Sequence, residues 1–139
     1  MKEMIRVAAG EPLSVKQEDI HLQGHAMECR INAEDPAHHF RPCPGVIEEI
    51  HLPGGNGVRI DTAAYNGYEI PPFYDSMIAK VIVHGRTRQE AIDKMRSTLG
   101  ELIIDGVTTN VDFQYEILDN EDFQAGEITT DFIPMHFNL

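Results

Sequence analysis

Apolar and polar positions alternate along part of this chain and recur at helical spacing along the rest. From Gly24 to Asn32 the period is two: Met27, Cys29 and Ile31 share one side, and Ala26, Glu28 and Arg30 share the other. That pattern predicts a half-buried strand presenting Glu28 and Arg30 on one face. Gly45 to Leu52 and Val58 to Thr62 predict two more strands, joined through Pro53-Gly54-Gly55-Asn56-Gly57, which has hairpin or loop chemistry. Met77 to His84 is nearly continuously apolar, the texture of a central strand.

Elsewhere the spacing is helical. Glu3 to Ala9 predicts a helix with Met4, Ile5 and Ala8 on one side and Gly10 as its stop. No capping signal precedes it, so its beginning is expected upstream. Ser14-x-x-Gln17 resembles a capping box for a short turn reaching Glu18. Thr87-x-x-Glu90 is a capping box ahead of a stripe of Ala91, Ile92, Met95, Leu99 and Leu102, with Asp93, Lys94 and Arg96 turned outward. After the Asp105-Gly106 turn, a helix starting near Thr109 or Asn110 carries Val111, Phe113, Ile117 and Leu118. A short element follows at Asp122 to Gly126, and Thr130 is expected to cap a last one holding Phe132, Ile133 and Met135. Helix, antiparallel strands, then helices define an α+β domain, an antiparallel sheet with flanking helices and no internal repeat.

Charge narrows the function. Twenty-three acidic against 11 basic residues give a net charge of −12, which argues against nucleic acid because phosphate binding needs a basic field. No apolar run is long enough to span a membrane, and Met1-Lys2-Glu3-Met4 does not read as a signal peptide, so a cytoplasmic protein is expected. The two cysteines, Cys29 and Cys43, are too few for a disulfide framework. His38-His39 reads as a loop between Pro36 and Pro42, and without paired Cys or His spacing no metal site is expected. The glycine cluster lacks a following Lys-Ser/Thr and a helix, so it reads as a turn rather than a phosphate cradle. Hydrolase motifs are absent.

The remaining chemistry is a candidate anion site. Arg30 is either an edge-strand arginine paired with Glu28 or Glu34, or a rigid guanidinium fork aimed at an oxyanion. Asp75, in the turn Pro71-Pro72-Phe73-Tyr74-Asp75, either bonds its own backbone or orients a partner. Arg59 reads as a surface cation, and Lys80 as a strand lysine snorkelling to an edge.

Four blocks carry a resemblance: Arg6-Val7-Ala8-Ala9-Gly10-Glu11-Pro12-Leu13, Gly24 to Pro36, Tyr74-Asp75-Ser76-Met77-Ile78, and Asp105-Gly106-Val107-Thr108-Thr109-Asn110. Through them the chain resembles the C-terminal domain of biotin carboxylase, the biotin-carboxylating subunit of bacterial acetyl-CoA carboxylase, with related domains in pyruvate and propionyl-CoA carboxylases. The likeness runs from about Glu3 to Phe137 and takes residues 1–139 as one such domain. It implies a ligase of fatty acid synthesis that uses ATP to activate bicarbonate and then carboxylates biotin on a carrier protein. Arg30 would bind bicarbonate and biotin and steady the enolate-like ureido oxygen, with Glu28 and Asp75 orienting it. Asn56 and Arg59 match positions at a homodimer interface, and Ile128 to Thr130 matches a segment touching the adenine.

Nothing in the sequence resembles the ATP-grasp and N-terminal parts of such an enzyme. ATP and magnesium (or manganese) are therefore expected to be held mainly upstream, and the isolated chain is expected to be inactive. The implied partners are a second copy, the biotin carboxyl carrier protein and the carboxyltransferase subunits. A competing reading makes the isolated domain a non-catalytic dimerisation module.

Overall fold

The apolar run beginning at Met77 occupies the middle of a three-stranded antiparallel sheet. The computed structural model describes residues 1–137. In chain order these form α1 (Lys2–Ala8), a 3-10 turn (Gln17–Asp19), β1 (His25–Asn32), β2 (Glu34–Asp35), a second 3-10 turn (Pro36–His38), β3 (Arg41–Pro42), β4 (Gly45–Val46), β5 (Glu49–His51) and β6 (Val58–Thr62). There follow β7 (Glu69–Ile70), β8 (Met77–Gly85), α2 (Arg88–Glu101), β9 (Ile103–Asp105), α3 (Val111–Asp119), α4 (Glu121–Ala125) and α5 (Phe132–His136). The expected α+β class, antiparallel strands with flanking helices, is what forms.

The main sheet runs β1-β8-β6. Cys29 pairs with Val81 and Val81 with Ile60, so one face is an apolar layer. Helix α2 covers it with Ala91, Ile92, Met95 and Leu99, and Ile92 and Met95 are wholly buried, as their spacing predicts. Thr87 caps α2 by accepting from the Glu90 N–H at 3.2 Å. The reciprocal half of the box is displaced: the Glu90 carboxylate accepts from the Arg86 N–H at 3.1 Å instead. The opposite sheet face stays open, so Lys80 and Ile82 in the central strand are only half-buried.

Several expectations need correction. Gly45 to Leu52 is not one strand: β4 pairs with β7 and β5 with β9, and the chain changes partner at Ile47-Glu48. Here the Ile47 N–H donates to the Tyr68 C=O and the Glu48 N–H to the Asp105 C=O, both at 2.9 Å. Ile47 is wholly buried where the ladders meet. Gly106, at φ +96°, makes the crossing possible, because a Cβ there would lie 2.3 Å from the Val46 carbonyl oxygen. The 53–57 loop is not a hairpin turn, since β5 and β6 belong to different sheets. Its Gly57 C=O instead accepts from the His84 N–H at 2.8 Å, fastening the loop to the end of β8.

Ser14 caps nothing. Its hydroxyl donates to Glu3 at 2.7 Å and its N–H to the same carboxylate at 3.1 Å, while the first 3-10 turn is closed by Asp19 accepting from the Lys16 N–H. Helix α1 ends as expected at Gly10, with the Glu11 N–H reaching back to the Arg6 C=O at 3.0 Å. It buries none of its residues, so Met4 and Ile5 stay exposed. The residue before α5 is Asp131 rather than Thr130, and it makes no side-chain cap. Asn120 is a cap the periodicity did not reveal, accepting from the Asp122 and Phe123 N–H groups at 3.0 and 3.1 Å.

Candidate functional site

The open face of the main sheet carries rows of charge set by strand register. Glu28, Ile82 and Arg59 lie side by side across β1, β8 and β6, and Arg30, Lys80 and Asp61 form the next row. Alternation alone puts Glu28 and Arg30 on this face, as the sequence predicts. Register decides that three cations and two carboxylates sit together here.

The two arginines are in opposite states. Arg59 spends its fork on Asp61, donating from Nε at 2.8 Å and Nη2 at 2.6 Å. That hydrogen bonding, with the Coulomb attraction, raises the Arg59 pKa and holds the Asp61 carboxyl below its usual range. Arg30 makes no side-chain hydrogen bond among the described residues. Its nearest anion is Asp75, with Nη2 to Oδ1 at 4.0 Å, and 56% of its side chain is exposed. A guanidinium steadied at that distance keeps its parallel donors available to a carboxylate-like ligand.

Asp75 bonds the backbone of its own turn, its Oδ1 accepting from the Met77 N–H at 2.8 Å, and the same oxygen faces the Arg30 guanidinium at 4.0 Å. Its turn is anchored by the neighbouring Ser76, whose hydroxyl donates to Glu34 at 2.5 Å. Glu34 also accepts from the Asn32 side chain at 3.2 Å. Neither Glu28 nor Glu34 therefore pairs with Arg30. Glu34 braces the loop that bears Asp75, and Glu28 lies in the row of Arg59, whose charge it helps to favour.

The other expected positions lie apart. Asn56 is exposed in the loop leading into β6, three residues before Arg59. Thr130 is exposed in the turn before α5, among the C-terminal helices. Cys29, beneath Arg30 on the covered face, has its thiol pushed up to about 12, first by burial and then by the Glu28 carboxylate, so it stays protonated. His38 bonds Asp35 at 2.6 Å, which lowers the Asp35 pKa. Among the described residues no group of three His, Cys, Asp or Glu side chains is placed to hold a metal, and no helix is long and apolar enough to cross a membrane.

A family model described as the biotin carboxylase C-terminal domain matches residues 28–135, which include Glu28, Arg30, Asn56, Arg59, Asp75 and Thr130. The chain belongs to the biotin carboxylase C-terminal domain family. Biotin carboxylase 1 of Bacillus subtilis is 53% identical over 133 residues, covering 96% of this chain and 30% of the relative. A pyruvate carboxylase subunit of Methanothermobacter thermautotrophicus is 55% identical over 133 residues, covering 96% of this chain and 27% of the relative. Among solved structures, the biotin carboxylase domain of Hydrogenobacter thermophilus 2-oxoglutarate carboxylase superposes with a TM-score of 0.92 at 47% identity. It covers 95% of this chain and 29% of its own, and was crystallised as a dimer with MgADP, ADP and bicarbonate. The domain thus spans under a third of the length of these relatives.

Sequence reasoning singled out Arg30, Arg59 and Asp75 and passed over three residues that shape their surroundings. Asp61 occupies Arg59, Ser76 fixes the Asp75 turn, and Asn110 bonds to β1 on both sides of Ile31. Asp61 was discoverable, since it stands two residues from Arg59 on a strand and so shares its face.

Proposed function

We propose that this domain is the C-terminal part of an ATP-dependent biotin carboxylase, and that Arg30 is its anion-binding catalytic residue. The observation that carries the reading is the contrast between two arginines on one sheet face: the Arg59 fork is filled by Asp61, and the Arg30 fork is open. In the complete enzyme Arg30 would bind bicarbonate and the ureido oxygen of biotin, stabilising the negative charge that develops on that oxygen. Asp75 steadies the guanidinium. Glu28, with no ion pair to Arg30, contributes through the field of the charged face.

ATP, with magnesium or manganese, supplies the phosphoryl chemistry that activates bicarbonate. We place the holders of that metal in the rest of the enzyme, in keeping with the lack of any group of three His, Cys, Asp or Glu side chains placed to hold it among the described residues, and Thr130 is the position proposed to lie near the adenine. Acetyl-CoA carboxylase in cytoplasmic fatty acid synthesis is the preferred setting, with carrier protein and carboxyltransferase as partners. The 55% identity to a pyruvate carboxylase polypeptide supports the alternative of a keto-acid carboxylase. The test is ADP release dependent on both free biotin and bicarbonate. The complete polypeptide should show it and the 139-residue chain alone should not. Biotin-dependent release by the short chain would overturn the assignment of the nucleotide to other parts.

Homodimerisation through the face holding Asn56 and Arg59 is part of the proposal, supported by the dimer of the 2-oxoglutarate carboxylase relative. Arg59→Glu places a third carboxylate beside Glu28 and Asp61. It is expected to weaken self-association at least tenfold, read by light scattering or analytical ultracentrifugation, with the domain still folded. An unchanged dimer would move the interface elsewhere.

A further inference from the structure

We infer that Asn110 is a positioning residue for Arg30, holding the end of β1 so that the guanidinium meets its ligand in one place. The inference rests on the catalytic reading of Arg30 above. Asn110 is 5% exposed and sits at the residue before α3, where an asparagine ordinarily accepts from the first helical amides. Its side chain makes no such cap. It turns instead to the outer edge of β1, where its Oδ1 accepts from the Asn32 N–H at 2.9 Å and its Nδ2 donates to the Arg30 C=O at 3.2 Å. The Asn110 N–H adds a third bond, to the Asn32 C=O at 3.1 Å.

One primary amide thereby does the work of a neighbouring strand. The edge of β1 offers an acceptor at Arg30 and a donor at Asn32, and a carboxamide carries the matching donor and acceptor on one rigid plane. The location matters because the β1–β8 register breaks between Ile31 and Asn32. Across that irregularity Asn32 still pairs with Met77 and the Ala33 N–H donates to the Ser76 C=O, so the inner edge of the strand is held. The outer edge, with no strand beside it among the described residues, is left to the Asn110 amide. Ile31, wholly buried between the two bonded residues, anchors the same segment from the core side. Arg30 thus stands on backbone held from three directions while its side chain remains free to bind.

In the complete enzyme, Asn110→Ala should lower kcat for carboxylation of free biotin by about a hundredfold, the cost of misplacing a reacting group by about an ångström. KM for ATP should be unchanged. Asn110→Asp keeps the acceptor for the Asn32 N–H but sets a carboxylate oxygen, in place of the donor, against the Arg30 C=O. It should lower kcat at least as far as Asn110→Ala, and it carries the test alone if the alanine variant does not fold. Coupling separates positioning from general damage: in an Arg30→Ala background, Asn110→Ala should reduce the residual rate by no more than about twofold, because the group it positions is gone. In the 139-residue chain, Asn110→Ala should also abolish hydrogen-exchange protection of the Asn32 N–H while the β8 amides stay protected. A multiplicative effect in the double variant, or a normal rate in both single Asn110 variants, overturns this inference and leaves Arg30 standing. A normal rate in Arg30→Ala overturns the catalytic reading itself, and the positioning role with it.

Discussion

Replacing Arg30 by alanine in the complete enzyme is expected to slow biotin carboxylation by about a hundred- to a thousandfold, or about 3–4 kcal/mol of transition-state stabilisation. The same change should barely alter stability. Its one ion pair among the described residues, to Asp75 at 4.0 Å, joins two side chains that are more than half exposed, and such pairs contribute about 0–1 kcal/mol. The two effects therefore differ by size and by assay. Turnover on free biotin reads the first, and the thermal midpoint of the same protein reads the second. Arg30→Lys should recover only part of the rate, because an ammonium does not reproduce two parallel donors. A near-normal rate accompanied by a falling midpoint would make Arg30 a structural residue.

The largest stability effect is expected at Ile92, wholly buried in the middle of α2 against the apolar face of the sheet. Ile92→Ala removes three carbons from a layer that includes Val81, Val83 and Met95, all at most 1% exposed. It should cost about 2–5 kcal/mol, lowering the thermal midpoint of the domain by about 8–20 °C at about 4 °C per kcal/mol. Ile92→Val is the control, at about 0.5–1.5 kcal/mol. Both are measured by thermal or urea unfolding of the 139-residue chain. If alanine cost no more than valine, the α2–sheet contact would not be the core of the fold.

The sequence by itself determined the elements whose pattern is local. A two-residue period placed β1 and put Glu28 and Arg30 on one face, and a 3.6-residue stripe placed α2 with its buried side. Capping chemistry at Thr87 set where α2 begins. Ordered blocks such as Gly24 to Pro36 carried the family. All of these are properties of neighbours within a few residues, which one chain displays without folding.

Tertiary structure decided what depends on pairing across long separations. The strand expected over Gly45 to Leu52 splits because its first half finds Ile70 and its second half finds Ile104, partners that no local period announces. Which arginine pairs was likewise left to the fold: each has a carboxylate two residues away on its own face, Asp61 or Glu28, yet only Asp61 fills a fork, while Arg30 keeps Asp75 at arm's length across a loop braced by Ser76 and Glu34. Asn110 shows the same limit most sharply. It reads as the start of a helix, and 78 residues separate it from the Asn32 amide it accepts from. A hydrogen bond of that span exists only after the sheet and α3 have packed, because only then are the unpaired edge of β1 and the asparagine amide brought within reach of each other.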